Sequence, residues 1–266
     1  MKRTFWKKTK WFILTIFRLI GFDPKALFDT LRGLPFYLND RSKIKQQKGQ
    51  DSSFDFGRSY PILNEKFSDA GTISGAYFHQ DLFVARQIFK NNPKRHVDIG
   101  SRIASFVAHV AVFREIEVFD IRELNSKVKN ISFKRADLMQ LPEEMTDYCD
   151  SISALHSIEH FGLGRYGDPV DYFGHVKAID NIYKILQTGG KFYFSVPIGS
   201  QRIEFNAHRV FSVRYLLTLF EGKFSLNSFS YIDDKGDFFE NVEITENEID
   251  RNFNCDFGCG IFELTK

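Results

Sequence analysis

From Arg95 onward, short apolar runs alternate with amphipathic stretches in a regular order. RHVDIGS predicts a strand ending in a glycine turn, and IASFVAHVAVF a helix. IEVFDIR and ISFKRADL predict two strands, each followed by an acid, and CDSISAL a further strand. DPVDYFGHVKAIDNIYKILQTGG has the spacing of a long helix, with Asp168 as its cap, Pro169 in its first turn and Gly189-Gly190 as its stop. KFYFSVPIG predicts a strand, VRYLLTLF a helix, and FSLNSFSYI and CGIFELT two closing strands. Strands alternating with helices imply an α/β fold, a mostly parallel seven-stranded sheet with helices on both faces. The last two strands, with no helix between them, imply an antiparallel edge strand.

Upstream of this pattern, GAYFHQDLFVARQIFKNN (75–92) has helical spacing, with Phe78, Leu82, Phe83, Ala85 and Ile88 sharing a face and Asn91-Asn92-Pro93 as the stop. Residues 41–58 are polar and poor in aliphatics, as a linker or surface loop would be. The chain therefore divides into an N-terminal extension (1–50), a linker and helical lead-in (51–92), and a main domain (93–266).

Charge separates the extension from the rest. Residues 1–50 hold 12 Lys/Arg against 3 Asp/Glu, a balance of +9, while the remainder carries −7. The apolar run from Trp11 to Phe22 is interrupted by Arg18, too short for an ordinary membrane span, and has no small-residue cleavage site. Trp6, Trp11, Phe12 and Phe17 among Lys7, Lys8, Lys10 and Arg18 suit an interfacial helix over 1–22 on an anionic membrane surface; a helix packed on the main domain is the alternative. The acidic main domain argues against nucleic acid. Three cysteines and no secretory signal point to a reducing, cytoplasmic setting, at most peripheral on the inner face of the membrane. Cys255 and Cys259 read as buried thiols better than as a pair or a metal site.

The candidate chemistry lies on the loops after the strands, where open α/β sheets bind ligands. His156-Ser-Ile-Glu159-His160 spells the H-x-x-E-H helix of inverted zinc peptidases, but it follows a strand directly and Gly162 and Gly164 come straight after. It therefore reads as a strand-to-helix loop without metal. Asp98 and Gly100 sit at the first glycine turn, with Ser101 and Arg102 beyond. Asp120 closes the second strand 22 residues after Asp98, where a carboxylate accepts hydrogen bonds from ribose hydroxyls. Asp137 closes the third strand and suits a base amino group. The turn lacks the later glycines of G-x-G-x-x-G, which disfavours a nicotinamide dinucleotide and leaves S-adenosylmethionine, which carries no pyrophosphate.

HVDIGSR, EVFDIRE, RADLMQLP, CDSISALHSIEH and LQTGGKFYFSVPIG make residues 95–266 resemble the class I S-adenosylmethionine-dependent methyltransferases, with their Rossmann-like fold. HSIEHFGLGRYGDP, RIEFNAHRVFS and GCGIFEL are similar to a domain-of-unknown-function family of nematodes and of bacterial surface-polysaccharide (O-antigen) clusters. The resemblance implies a cofactor seat of Asp98, Gly100, Ser101, Arg102, Asp120, Ile121, Asp137, Leu138 and His156. It implies O-methylation of a sugar of a surface polysaccharide or its precursor. His156 and His160 are the candidate bases, with Glu159 orienting or replacing one of them. Arg165, Tyr166, Asn206, His208 and Arg209 are the candidate acceptor residues. One departure is that Arg102 and Ala104 stand where the family places its second and third glycines. Arg102 either swings away or meets the cofactor's carboxylate, and a scaffold that has lost its cofactor stands as the alternative. A zinc hydrolase on HSIEH and a glycosyltransferase using Asp233-Asp234 are weaker rivals.

Overall fold

A computed structural model describes residues 17, 21–67, 75–125, 127–140 and 145–266. The chain forms two compact units, Met1–Thr72 and Ile73–Lys266. The interfacial helix expected over 1–22 falls almost wholly outside the described residues. Within the first unit, helix α1 (Pro24–Lys48) is followed by an irregular segment and a single turn at Glu65–Phe67. Residues 41–48, expected in a linker, instead extend α1 by two turns, because no glycine or proline interrupts them before Gly49.

The second unit begins earlier than the sequence pattern suggested, with helix α2 (Ala76–Asn91). Its Phe83, Val84, Ala85 and Ile88 are buried in the same cluster as Val107, Val118 and Ile261, so the lead-in helix belongs with the sheet. Gln80, Val84 and Ile88 lie along the buried face, which leaves Phe78 and Leu82 exposed. Asn92, in the left-handed conformation, ends the helix with its N–H on the Ile88 carbonyl.

Strand β1 (His96–Ile99) leads through a wide π turn (Ile103–Val107) into α3 (Ala108–Ala111). Strands β2 (Ile116–Asp120), β3 (Ile131–Arg135) and β4 (Cys149–Leu155) follow. Helix α4 (Gly174–Ile185) runs directly into the long strand β5 (Leu186–Ile198). A hairpin of β6 (Arg202–Glu204) and β7 (His208–Val210) precedes α5 (Val213–Phe220). Strand β8 (Ser225–Ile232), the two-residue β9 (Phe238–Phe239), α6 (Glu246–Asp250) and β10 (Gly258–Thr265) complete the chain.

The sheet order is β3-β2-β1-β4-β5-β10-β8-β9. Strands β1 to β5 pair in parallel, and β10 pairs antiparallel with both β5 and β8. This is the Rossmann-like arrangement expected, with two corrections. The antiparallel strand at the edge is the short β9, which makes an eighth strand, and a second antiparallel strand, β10, is inserted between β5 and β8. The chain reverses its winding at β1, between β2 and β4, so a crevice opens at the carboxyl ends of those strands.

Two features of the expected long helix also differ. Asp168 does not cap it: one carboxylate oxygen accepts from the Gly162 and Gly164 N–H groups (2.8 and 3.2 Å) and the other from Tyr166 N–H (3.1 Å), closing the glycine loop on itself. Gly189 and Gly190 lie inside β5, where they exchange backbone hydrogen bonds with Lys266. All three cysteines are free and buried.

Candidate active site

The glycine turn after β1 is held from beneath. Gly100 adopts φ +64°, and a Cβ there would stand 3.3 Å from that of Ser157, so backbone conformation and space both call for glycine. Its N–H donates to the Phe119 carbonyl (2.9 Å), tying the turn to β2. Asp98 is fully buried and accepts from Ser101 N–H (3.0 Å), Ser101 Oγ (2.6 Å) and Ser153 Oγ (2.6 Å). Burial pushes its pKa up to about 6 against these hydrogen bonds. Asp98 therefore builds the loop from below and does not line the crevice, a correction to its expected place in the cofactor seat. Beneath it, His96 Nε2 donates to Ser153 Oγ (3.1 Å) while Nδ1 accepts from Ser151 Oγ (2.8 Å), and burial takes this imidazole down to about 3.

Above the strand ends lies a cavity of about 740 Å³. Gly100, Ser101, Arg102, Asp120, Ile121, Asp137 and Leu138 line one part, and His156, Glu159, His160, Arg165, Tyr166 and His208 another. Asp137 also accepts from Met139 N–H (2.9 Å), which fixes the turn after β3. Asp120 is engaged: Arg122 grips it in a bidentate pair (3.0 and 2.7 Å). The Arg122 guanidinium also lies 4.3 Å from the Tyr166 ring, whose own neighbours are His160 (5.5 Å) and Arg165 (5.1 Å). Arg102 turns aside onto Tyr77 of α2 (4.7 Å), and Tyr77 packs on His156 (5.0 Å).

HSIEH is not a metal helix here. His156 has φ +48°, and only Ile158–His160 makes a single 3₁₀ turn. The short path nonetheless brings three titratable groups together. His156 Nδ1 lies 2.9 Å from Glu159 Oε1, and His160 Nε2 lies 3.8 Å from the same oxygen. Glu159 is 1 % exposed, and its Oε2 has no partner among the described residues. Burial works against charge on His156, but the neighbouring Cys259 thiol and the Glu159 carboxylate outweigh it and hold the imidazole well above its usual range. His160 goes the other way, lowered chiefly by burial. Its Nδ1 donates to the Ala207 carbonyl (2.7 Å), because a carbonyl can only accept. Nε2 is then the nitrogen left to take a proton.

Two expected acceptor residues are not in the cavity. Arg209 is buried, donating to the Phe161 (2.6 Å) and Tyr172 (3.1 Å) carbonyls, and so braces the loop. Asn206 is exposed on the β6–β7 turn and does not line the space. Asp233 and Asp234 accept backbone N–H groups of their own and adjoining turns (Lys235, Asp237, Asp256, Phe257). The pattern along the chain missed Tyr77, Arg122 and Phe257. Only Arg122 left a local signal, two residues after the strand-ending acid.

A family model described as "Caenorhabditis protein of unknown function, DUF268" matches residues 106–255, more than half of the chain. The chain belongs to the DUF268 family. No curated protein matches this DUF268 sequence. Among solved structures, it is similar to the 1,6-didemethyltoxoflavin-N1-methyltransferase of Burkholderia thailandensis, solved with 1,6-didemethyltoxoflavin and S-adenosylhomocysteine. The TM-score is 0.51 at 12 % identity, over 70 % of this chain and 78 % of that one. It is also similar to the N-methyltransferase NodS of Bradyrhizobium japonicum WM9, with TM-score 0.47 and 13 % identity over 71 % of this chain and 87 % of that one. The first likeness shows that this DUF268 chain has the class I methyltransferase fold.

Proposed function

We propose that this DUF268 chain is an S-adenosylmethionine-dependent methyltransferase that O-methylates a hydroxyl of a glycan or glycan precursor on the cytoplasmic side of a membrane. The observation that carries the reading is the single cavity in which three strand-end turns meet a buried His–Glu–His cluster. When bound, S-adenosylmethionine supplies an electrophilic methyl group. The residues present fit it: Gly100 leaves room for close backbone approach, Asp120 offers its carboxylate to ribose hydroxyls, and the turn at Asp137 and Leu138 suits the base.

On the other side of the cavity, His160 accepts the proton of the acceptor hydroxyl at Nε2 while the Ala207 carbonyl keeps its ring oriented. Its lowered pKa leaves it neutral, and therefore basic, at pH 7. Glu159, buried, steadies both histidines. Tyr166 and Phe257 present rings, and Arg165 and His208 present polar groups, the mixture that suits a sugar face and its hydroxyls. Most of the chain's contribution is the placing of two reactants.

One observation favours a second reading, a scaffold that binds no cofactor: the ribose carboxylate is already held by Arg122. Calorimetric titration with S-adenosylhomocysteine separates the two. Micromolar binding that Asp120→Ala abolishes supports the enzyme. No binding at high protein concentration supports the scaffold.

A further inference from the structure

The amphipathicity of α1 is inverted. Leu27, Leu31, Leu34 and Leu38 follow the i, i+4, i+7, i+11 spacing of one helix stripe. Such a stripe ordinarily faces a core. Here Leu31 and Leu38 are 61 % and 57 % exposed, and Phe28 beside them 63 %. The covered face is a different one. The backbone at Leu63 lies against Gly33 so closely that a Cβ on the glycine would overlap the Leu63 carbonyl oxygen at 1.8 Å. Phe67 packs on Phe36 (5.8 Å) and under Arg32 (4.0 Å), and Lys66 pairs with Asp40 (3.1 Å). Residues 63–67 thus occupy the face bearing glycine and charge, and leave the leucines uncovered.

Charge decides what covers them. Residues 1–50 carry a balance of +9. On the helical wheel Lys45 falls in line with the leucines and Arg41 beside them, while Asp29 and Asp40 fall on the opposite side. A second copy would set one cation-rich helix against another, since α1 itself holds six Lys/Arg against two Asp/Glu, whereas an anionic bilayer answers both the apolar stripe and the cations. No helix among the described residues is long and apolar enough to cross a membrane, so the contact is one of a helix lying on the surface.

We infer that α1 is a membrane-docking surface, seating Leu27, Phe28, Leu31, Leu34 and Leu38 in the interface of an anionic bilayer. The inference is independent of the catalytic reading, because it rests on the first unit alone.

The test is co-sedimentation of the full chain with vesicles of phosphatidylcholine, with and without phosphatidylglycerol. The wild type binds the anionic vesicles and is released as salt rises. Leu31→Gln combined with Leu38→Gln keeps the thermal transition, since no buried side chain is removed, and loses on the order of a hundredfold in partitioning. Arg41→Gln with Lys45→Gln, which leaves the leucines intact, weakens the salt-sensitive part. Three results would overturn the inference: no binding by the wild type; equal binding by the leucine variant; or a leucine variant that lowers the melting temperature or dissolves a dimer, which would place the stripe against protein.

Discussion

Gly162→Ala separates a closed loop from a helix at HSIEHFGLG by the sign of its effect on stability. In the structure Gly162 has φ +74°, and an added Cβ would lie 2.0 Å from the backbone oxygen of Asp171. The left-handed conformation costs an alanine roughly 1–2 kcal/mol. The overlap is with backbone, which cannot swing aside, and forcing it costs about 1–3 kcal/mol. The sum is about 2–5 kcal/mol. For a folded unit of this size each kcal/mol lowers Tm by roughly 2–4 °C, so the fall is about 4–20 °C. Gly167 is the internal control: it has φ +81° but open space around its Cβ position, so Gly167→Ala suffers only the conformational cost, about 2–8 °C. Thermal unfolding by circular dichroism reads both. If residues 156–164 were instead a helix, Gly162→Ala would stabilise the protein by up to about 1 kcal/mol. A Gly162→Ala variant as stable as wild type, or no less stable than Gly167→Ala, refutes the loop as described.

Further expectations concern the buried histidines and the ribose acid. His96, neutral in the fold with a pKa of about 3 against 6.5 when unfolded, takes up its proton more readily unfolded, so its contribution is intact above pH 6.5 and fades as pH falls toward 3, by about 5 kcal/mol in all. Urea titrations from pH 7 to 4 should show a shallower decline for His96→Gln than for wild type; parallel declines exclude His96 as the cause. Once an accepting glycan is in hand, His160→Ala should lower turnover by about 10²–10⁴-fold with S-adenosylhomocysteine affinity unchanged, and undiminished turnover would remove it as the base. Arg122→Ala frees the Asp120 carboxylate and should tighten S-adenosylhomocysteine binding by up to about fivefold, the worth of a pair whose arginine is half exposed; weaker binding would make Arg122 part of the cofactor seat.

The sheet was legible because its strands are apolar runs punctuated by acids and glycines, and α5 appears with the residues its spacing implies, Val213–Phe220. Local signals failed where one residue type has two local uses. Asp168 before Pro169 has the form of a helix cap, yet its oxygens close the loop behind it. Arg209 is a candidate acceptor residue by its loop, and only the fold shows the carbonyls of Phe161 and Tyr172 converging on it. Asp98 and Asp120 both bring a carboxylate to the end region of a strand, and burial alone assigns the first to the loop and the second to the cavity. Tyr77 reaches the site from a helix ahead of the sheet, a long-range placement that no spacing along the chain encodes.

The most direct test of the central claim is an amide hydrogen-exchange footprint of S-adenosylhomocysteine on the intact chain. The account predicts slowed exchange confined to residues 100–102, 120–122 and 137–139, reaching 156–160, the turns that share the cavity. Slowed exchange elsewhere, or none with the ligand at saturating concentration, would contradict a cofactor site in this crevice.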